Sequence, residues 1–150
     1  MIEMKKLLFP VDLSGVASKI APSVIELGEK LEAEIHLVHV AATLEEIAGL
    51  YGPAPALIDF EKEVVDGAER ELEKFEQEFF RDYPRKKRVV LQGDPVEELI
   101  EYIRTQEVDL VVMGTHGRKG ADKILFGSVA DQMVKNSPVP VMTVNPYLRR

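Results

Sequence analysis

The sequence predicts an α/β fold: one doubly wound parallel sheet of five strands with helices on both faces. Three observations predict it. Short β-branched runs alternate with helical stripes along the whole chain, the runs are continuously apolar, and no composition shift or internal repeat marks a second domain in residues 1–150. Continuous apolar runs suit parallel strands buried on both faces. The order β-α-β-α-β-α-β-α-β then calls for right-handed crossovers.

The first strand is expected over Lys6–Val11 and the second over Glu34–Val40. Between them Ile20, Val24, Leu27 and Leu31 fall on one helical stripe. A second stripe runs through Val64, Ala68, Leu72, Phe75 and Phe79, ahead of a third strand at Arg88–Gln92. Val96, Leu99, Ile100 and Ile103 form the third stripe, with Pro95 suitably placed at a helix start. The fourth strand is Leu110–Met113, the fourth helix runs from about Ser128 to Asn136, and Val139–Val144 is the last strand. The connection Ala41–Ile58 is the outlier. It contains Gly49, Gly52, Pro53 and Pro55 and is longer than most loops in compact domains, so it is either a short extra helix within Leu44–Tyr51 or a flap.

Composition narrows the function. The hydrophobic fraction of 45% supports an ordinary core, and no apolar run approaches the roughly 20 residues of a membrane span. The opening residues do not read as a signal peptide. There is no cysteine, which excludes disulfides, thiolate chemistry and Cys-based zinc sites and fits a cytoplasmic location. A net charge of −7 gives no general attraction to nucleic acid. The basic cluster Arg85-Lys86-Lys87-Arg88 reads as a solvated strand entry. His36 and His39, three apart in a strand, point to opposite faces and cannot chelate one metal, so they are expected to be structural or surface residues. Asp94, Glu97 and Glu98 suit a helix start, where carboxylates meet the positive end of the dipole.

The chemistry-bearing segment lies between Gly114 and Ser128. Four of the ten glycines fall between Gly114 and Gly127, directly after the fourth strand. Glycine lets backbone amides approach a ligand with no Cβ in the way. Ser128-Val129-Ala130-Asp131 resembles a capping box, which puts Gly127-Ser128 at a helix N-terminus, where free N–H groups attract anions. Gly114 and Gly117 can add a backbone nest for a second phosphate. His116 is a phosphate contact or a solvent-facing loop residue. Arg118, Lys119 and Lys123 either neutralise a polyphosphate or solvate the loop. The chain has no G-x-x-x-x-G-K-[ST] motif and no G-x-G-x-x-G after the first strand, which argues against a P-loop NTPase and a typical dinucleotide enzyme.

The pattern Gly114-x-x-Gly117-x9-Gly127-Ser128 resembles the G-2x-G-9x-G-[S/T] pattern of the universal stress protein family in its ATP-binding branch. The resemblance spans the chain, through Leu8-Phe9-Pro10-Val11-Asp12, His36-Leu37-Val38-His39-Val40 and Ser137-Pro138-Val139-Pro140-Val141. It implies a Rossmann-like sheet in the order 3-2-1-4-5, whose topological switch point lies between strands one and four. It also implies a division of labour. Asp12 and the backbone of Val40 meet the adenine end, and Pro10 and Gly114 flank the ribose. Backbone groups of Met113, Gly117, Gly127 and Val129, with the Ser128 hydroxyl, hold the phosphates. A carboxylate at Asp12 would repel a triphosphate unless a cation lay between, which agrees with a place near base or sugar; the local alternative is a turn or helix-start residue before Ser14-Gly15.

Two further expectations come with the family. The apolar edge strand Val139–Val144 serves a symmetric homodimer. ATP, with Mg2+ or Mn2+ as its counter-ion, governs interactions with a protein partner that the sequence does not identify. The competing readings are a slow ATP hydrolase or phosphotransferase, and a dimer of the same fold with an empty crevice. The first lacks an evident general base and any acidic Mg2+ site beyond Asp12. The second is opposed by the complete glycine pattern. An ATP pyrophosphatase would carry an S-G-G-x-D-S-type loop where this chain has Val11-Asp12-Leu13-Ser14-Gly15.

Overall fold

In the computed structural model, which describes residues 3–43, 49, 57–115 and 127–147, five parallel strands form one sheet in the order β3-β2-β1-β4-β5. The strands are β1 (Lys6–Pro10), β2 (Glu34–Ala41), β3 (Lys86–Gln92), β4 (Leu110–Gly114) and β5 (Val141–Val144). The helices are α1 (Val16–Leu31), α2 (Leu57–Phe79), α3 (Pro95–Thr105) and α4 (Ser128–Asn136). Each joins two parallel strands, as a crossover must.

Side-chain alternation along the strands splits the core into two layers. Leu7 and Phe9 of β1, Ile35 and Leu37 of β2, and Leu110 and Val112 of β4 pack with Ala17, Ile20, Ala21 and Val24 of α1 and Leu72 and Phe75 of α2. Leu8, Val38, Val111 and Met113 face the other way, onto Val96, Leu99 and Ile103 of α3 and Ala130 and Met133 of α4. The first two crossovers therefore lie on one face and the last two on the other. That reversal puts the switch point between β1 and β4.

Local chemistry accounts for the helix ends. Asp94 caps α3 by accepting from the Glu97 N–H at 3.0 Å, and Pro95 occupies the first turn, where its missing donor costs nothing. Glu32 ends α1 in the left-handed region at φ 53°, its N–H bonded back to Glu29 and that of Ala33 to Gly28. Inside α1, packing is what favours glycine at Gly28. A Cβ on it would stand 2.6 Å from the Tyr83 hydroxyl and 2.7 Å from Ile35 Cδ1.

The expected elements are all present, with shifted ends. β3 starts at Lys86, so the basic cluster runs into the strand instead of stopping at its mouth. Lys86 Nζ binds the carbonyls of Arg81 and Tyr83, while Arg88 pairs with Glu76 at 3.0 Å. β5 starts only at Val141, because Pro140 has no N–H to give and Ser137 Oγ holds Val139 in a turn. The Pro140 carbonyl still accepts from Val111, so the proline's blank side does not interrupt the β4–β5 pairing. In α3, Val96, Leu99 and Ile103 of the predicted stripe are buried together with Tyr102, and Ile100 is half-buried. Of the Ala41–Ile58 connection, residues 44–48 and 50–56 lie outside the described residues, and α2 already begins at Leu57.

Candidate functional site at the carboxyl edge

Parallel strands end together, and the register shows which ends meet. Leu8 pairs with Val111, so Pro10 comes level with Met113 and Val11 with Gly114. Pro10 pairs with Val38, so Asp12 comes level with Val40. Pro10, Asp12, Val40, Met113 and Gly114 therefore lie along one carboxyl edge, across the β1–β4 switch point. The same edge receives α4, because Gly127 donates its N–H to the Thr115 carbonyl at 2.7 Å. Thr115 in turn donates to Val144, tying this junction to the edge strand β5. His116, Gly117, Arg118, Lys119 and Lys123 lie outside the described residues.

The start of α4 departs from the capping-box expectation. Gly127, not Ser128, is the N-cap residue, with φ −67° and ψ 155° and no side-chain cap bond. Its carbonyl accepts from the Asp131 N–H, the first bond of the helix. Ser128 is the first helical residue and is exposed, and Val129 is half-buried against the α3–α4 layer. Both backbone polar groups of Gly127 are thus used inside the fold, so a role for Gly127 at a phosphate is that of a missing side chain. The N–H groups of Ser128, Val129 and Ala130 have no acceptor within the helix, which is the general condition of a first turn. They form an anion-attracting end aimed at the edge.

Asp12 shows the local role that its sequence context allows. Its Oδ1 accepts from the Ser14 N–H at 3.1 Å and the Ser14 hydroxyl at 2.7 Å, an Asx turn. Leu13 and Gly15 then take left-handed conformations, at φ 61° and 90°, to swing the chain into α1. The turn fixes the carboxylate just beyond the end of β1.

The backbone of Val40 is placed by alternation. In a parallel strand the N–H and C=O of one residue point to the same side, and successive residues alternate. The Val38 carbonyl accepts from Val11, and the Ala41 carbonyl accepts from Gly93 beyond β3. Val40 therefore directs both its donor and its acceptor towards the end of β1. There the Val11 carbonyl is held by Nδ1 of His39 at 2.6 Å. Sequence reasoning treated His39 as a structural residue and missed this contact. No local signal gives it away; only the β1–β2 register brings the two together.

A second polar cluster lies at the opposite, amino edge. His36 is buried on the α3 face, with Nδ1 2.8 Å from the Tyr102 hydroxyl and Nε2 on the Glu34 carboxylate. A carboxylate only accepts, so Nε2 carries the proton and the neutral ring accepts from Tyr102 through Nδ1. Burial pulls the His36 pKa below its ordinary value, with Lys87 and Lys6 acting in the same direction and Glu34 opposing. Burial also pushes the Tyr102 hydroxyl up to about 12, reinforced by Glu34. For a base held below its unfolded pKa, the unfolded chain takes up protons first. We therefore expect the stability difference between the wild-type chain and His36→Gln to shrink as pH falls below about 6.5. Thermal unfolding of both proteins from pH 8 to pH 5 checks this, and a pH-independent difference contradicts it.

A five-stranded, doubly wound sheet with a glycine-flanked helix start at its switch point defines the class: a Rossmann-like α/β protein of the kind that takes ligands at its carboxyl edge. The sequence profile of the Universal stress protein family matches residues 3–145, and the chain belongs to that family. It is 30% identical to Universal stress protein MJ0531 of Methanocaldococcus jannaschii over 142 residues, which cover 93% of this chain and 81% of the relative. Universal stress protein MJ0577 of the same organism is 29% identical over 93% of this chain and 94% of its own length. The solved structure of MJ0577 superposes with a TM-score of 0.78 over 99% of both chains. A family member from Arabidopsis thaliana solved with AMP bound superposes with a TM-score of 0.65, at 17% identity over 94% of this chain and 91% of that one.

Proposed function

We propose that the chain binds ATP at the carboxyl edge between β1 and β4 and acts as a nucleotide-dependent stress or signalling module. The observation that carries this reading is the orientation of Val40. Its N–H and C=O face the end of β1 as an adjacent donor and acceptor, which matches the acceptor and amino group on one edge of adenine. Continuing the β1–β2 register two residues past the end of β1 brings Asp12 level with Val40. Across the switch point, the first turn of α4 supplies N–H groups and the Ser128 hydroxyl for phosphate oxygens. Pro10 and Gly114 lie between the two ends, at the place for a ribose, and the backbone groups of Met113 and Gly117 belong with the phosphate end. The AMP-bound relative supports an adenine nucleotide as the ligand class.

Mg2+ or Mn2+ belongs to this reading as the counter-ion of the triphosphate, held mainly by the phosphates themselves. Among the described residues no group of three His, Asp or Glu could hold a metal alone. Binding without appreciable turnover follows from the absence of a general base among the residues assigned to the phosphate end.

A homodimer through β5 is part of the same proposal. The two sheet edges differ in chemistry. β3 carries Lys86, Lys87 and Arg88, charges that discourage strand pairing, whereas β5 is short and apolar, with Met142 45% exposed. Among the described residues no helix is long and apolar enough to cross a membrane.

The test is calorimetric titration of the purified chain with ATP and Mg2+, alongside mass spectrometry of the small molecules released on denaturation. We expect saturable binding at one site per chain and an adenine nucleotide in the released pool. No heat of binding and no adenine nucleotide would overturn the reading.

A further inference from the structure

We infer that His39 is a positioning residue of the carboxyl edge: its ring caps the Val11 carbonyl, ends the β1–β2 ladder one step early, and so keeps the Val40 N–H available to a planar heterocycle. The inference rests on the adenine-binding reading for its ligand, but its structural half stands on the ladder alone.

Pro10 pairs with Val38, and Val11 still donates its N–H to the Val38 carbonyl at 2.8 Å. Were the parallel pairing to continue, the next bond would run from the Val40 N–H to the Val11 carbonyl. Among the described residues that bond is replaced. The Val11 carbonyl meets Nδ1 of His39 at 2.6 Å instead. A carbonyl only accepts, so Nδ1 is the protonated nitrogen, and this holds for the neutral ring as well as the charged one. The side chain thus substitutes for the backbone donor of the very next residue. The exchange leaves the carbonyl of the buried Val11 satisfied, as a buried backbone group must be, and spares the Val40 donor.

The consequence reaches the base specificity of the site. With the ladder closed, Val40 would offer only its carbonyl, an acceptor, and would favour no purine edge that needs a donor opposite. With the ladder held open by His39, Val40 offers a donor and an acceptor side by side. Asp12, held by its Asx turn, is the next group along. His39 itself touches neither base nor phosphate in this arrangement; it acts through Val11 and Val40.

Amide exchange and calorimetry on the wild-type chain, His39→Leu and His39→Asn test it. Asparagine places an amide N–H near the position of Nδ1, and leucine provides none. Without nucleotide, we expect the Val40 amide to exchange rapidly in the wild-type chain and in His39→Asn. In His39→Leu it should become protected, as it closes onto Val11. ATP affinity should fall about tenfold in His39→Leu and recover in His39→Asn, the scale of one lost hydrogen bond. The Nδ1 resonance of wild-type His39 should show an attached proton in the neutral ring, a readout that needs no variant to fold. Equal Val40 protection in wild type and His39→Leu, or an unprotonated Nδ1, would overturn the inference. Should the exchange contrast hold while the wild-type chain binds no ATP, the His39 role stands and it is the nucleotide reading that fails.

Discussion

Replacing Gly127 with valine is expected to lower ATP affinity by about a hundredfold or more, a loss on the order of 3 kcal/mol, while leaving the fold intact. The two halves of that expectation have separate causes. Gly127 sits at φ −67° and ψ 155°, an extended conformation that any L-residue adopts without strain, so valine meets no backbone penalty. Its N–H bond to Thr115 and its carbonyl bond from Asp131 involve main-chain atoms and survive the change. The remaining cost is that of a poor N-cap residue, about 1 kcal/mol or less. The ligand pays separately. A branched side chain at the cap stands over the N–H groups of Ser128 and Val129, where a phosphate must come within hydrogen-bond distance. Calorimetry with ATP and Mg2+, paired with a thermal melt, separates the two effects. Unchanged affinity in a folded variant would place the phosphates elsewhere.

The second large effect is on stability. Phe9→Ala should cost about 3–5 kcal/mol, as deletion of a fully enclosed aromatic ring does. Phe9 is 0% exposed in β1, with its ring centroid 6.1 Å from that of Phe75 and 6.0 Å from that of Phe80. Those two rings lie on α2 and just beyond its end, 66 or more positions away in sequence, so the cavity would open where β1 meets the α2 layer. Backbone pairing on both sides of β1 limits how far the strand can collapse into the void. A melting temperature lower by roughly 10 °C is the expected scale for a chain of this length. Phe60→Ala is the matched control. That ring is 44% exposed on α2, and its loss should change stability by about 0.5 kcal/mol or less. A Phe9→Ala variant as stable as the control would mean that the aromatic cluster does not anchor the central strand.

Much of this architecture is legible in the chain before any coordinates. The strands declare themselves because a parallel sheet covered on both faces admits only apolar residues over four or five positions, as in Leu7, Leu8 and Phe9. Asp94-Pro95 marks a helix start by a mechanism that operates within a few residues. The element ends are less legible, since tertiary context sets them. β5 loses Val139 and Pro140 to a serine-anchored turn, and β3 gains Lys86 and Lys87 because they pair with Ile35 and His36 of β2. Gly127 displaces Ser128 as the cap through a bond to Thr115, across a segment whose length local rules cannot bridge.

The site divides in the same way. The glycine pattern and the residues at strand ends are visible because they are contiguous, and the sheet order then aligns them along one edge. The side-chain contacts that tune the fold are not visible. His36 meets Tyr102 over 66 positions, and His39 meets Val11 over 28. Spacing along β2 puts the two histidines on opposite faces. It does not say that one ring is buried under α3 while the other ends a ladder.

The account stands or falls on where an adenine nucleotide meets this chain. The direct measurement is a titration of the isotopically labelled protein with ATP and Mg2+, following each backbone amide. The account predicts progressive shifts at Asp12, Val40, Gly114, Ser128 and Val129, with Lys86–Arg88 on the β3 edge and the His36 cluster unmoved. Shifts confined to β3 or to the amino edge, or no shifts at saturating ATP, would contradict it.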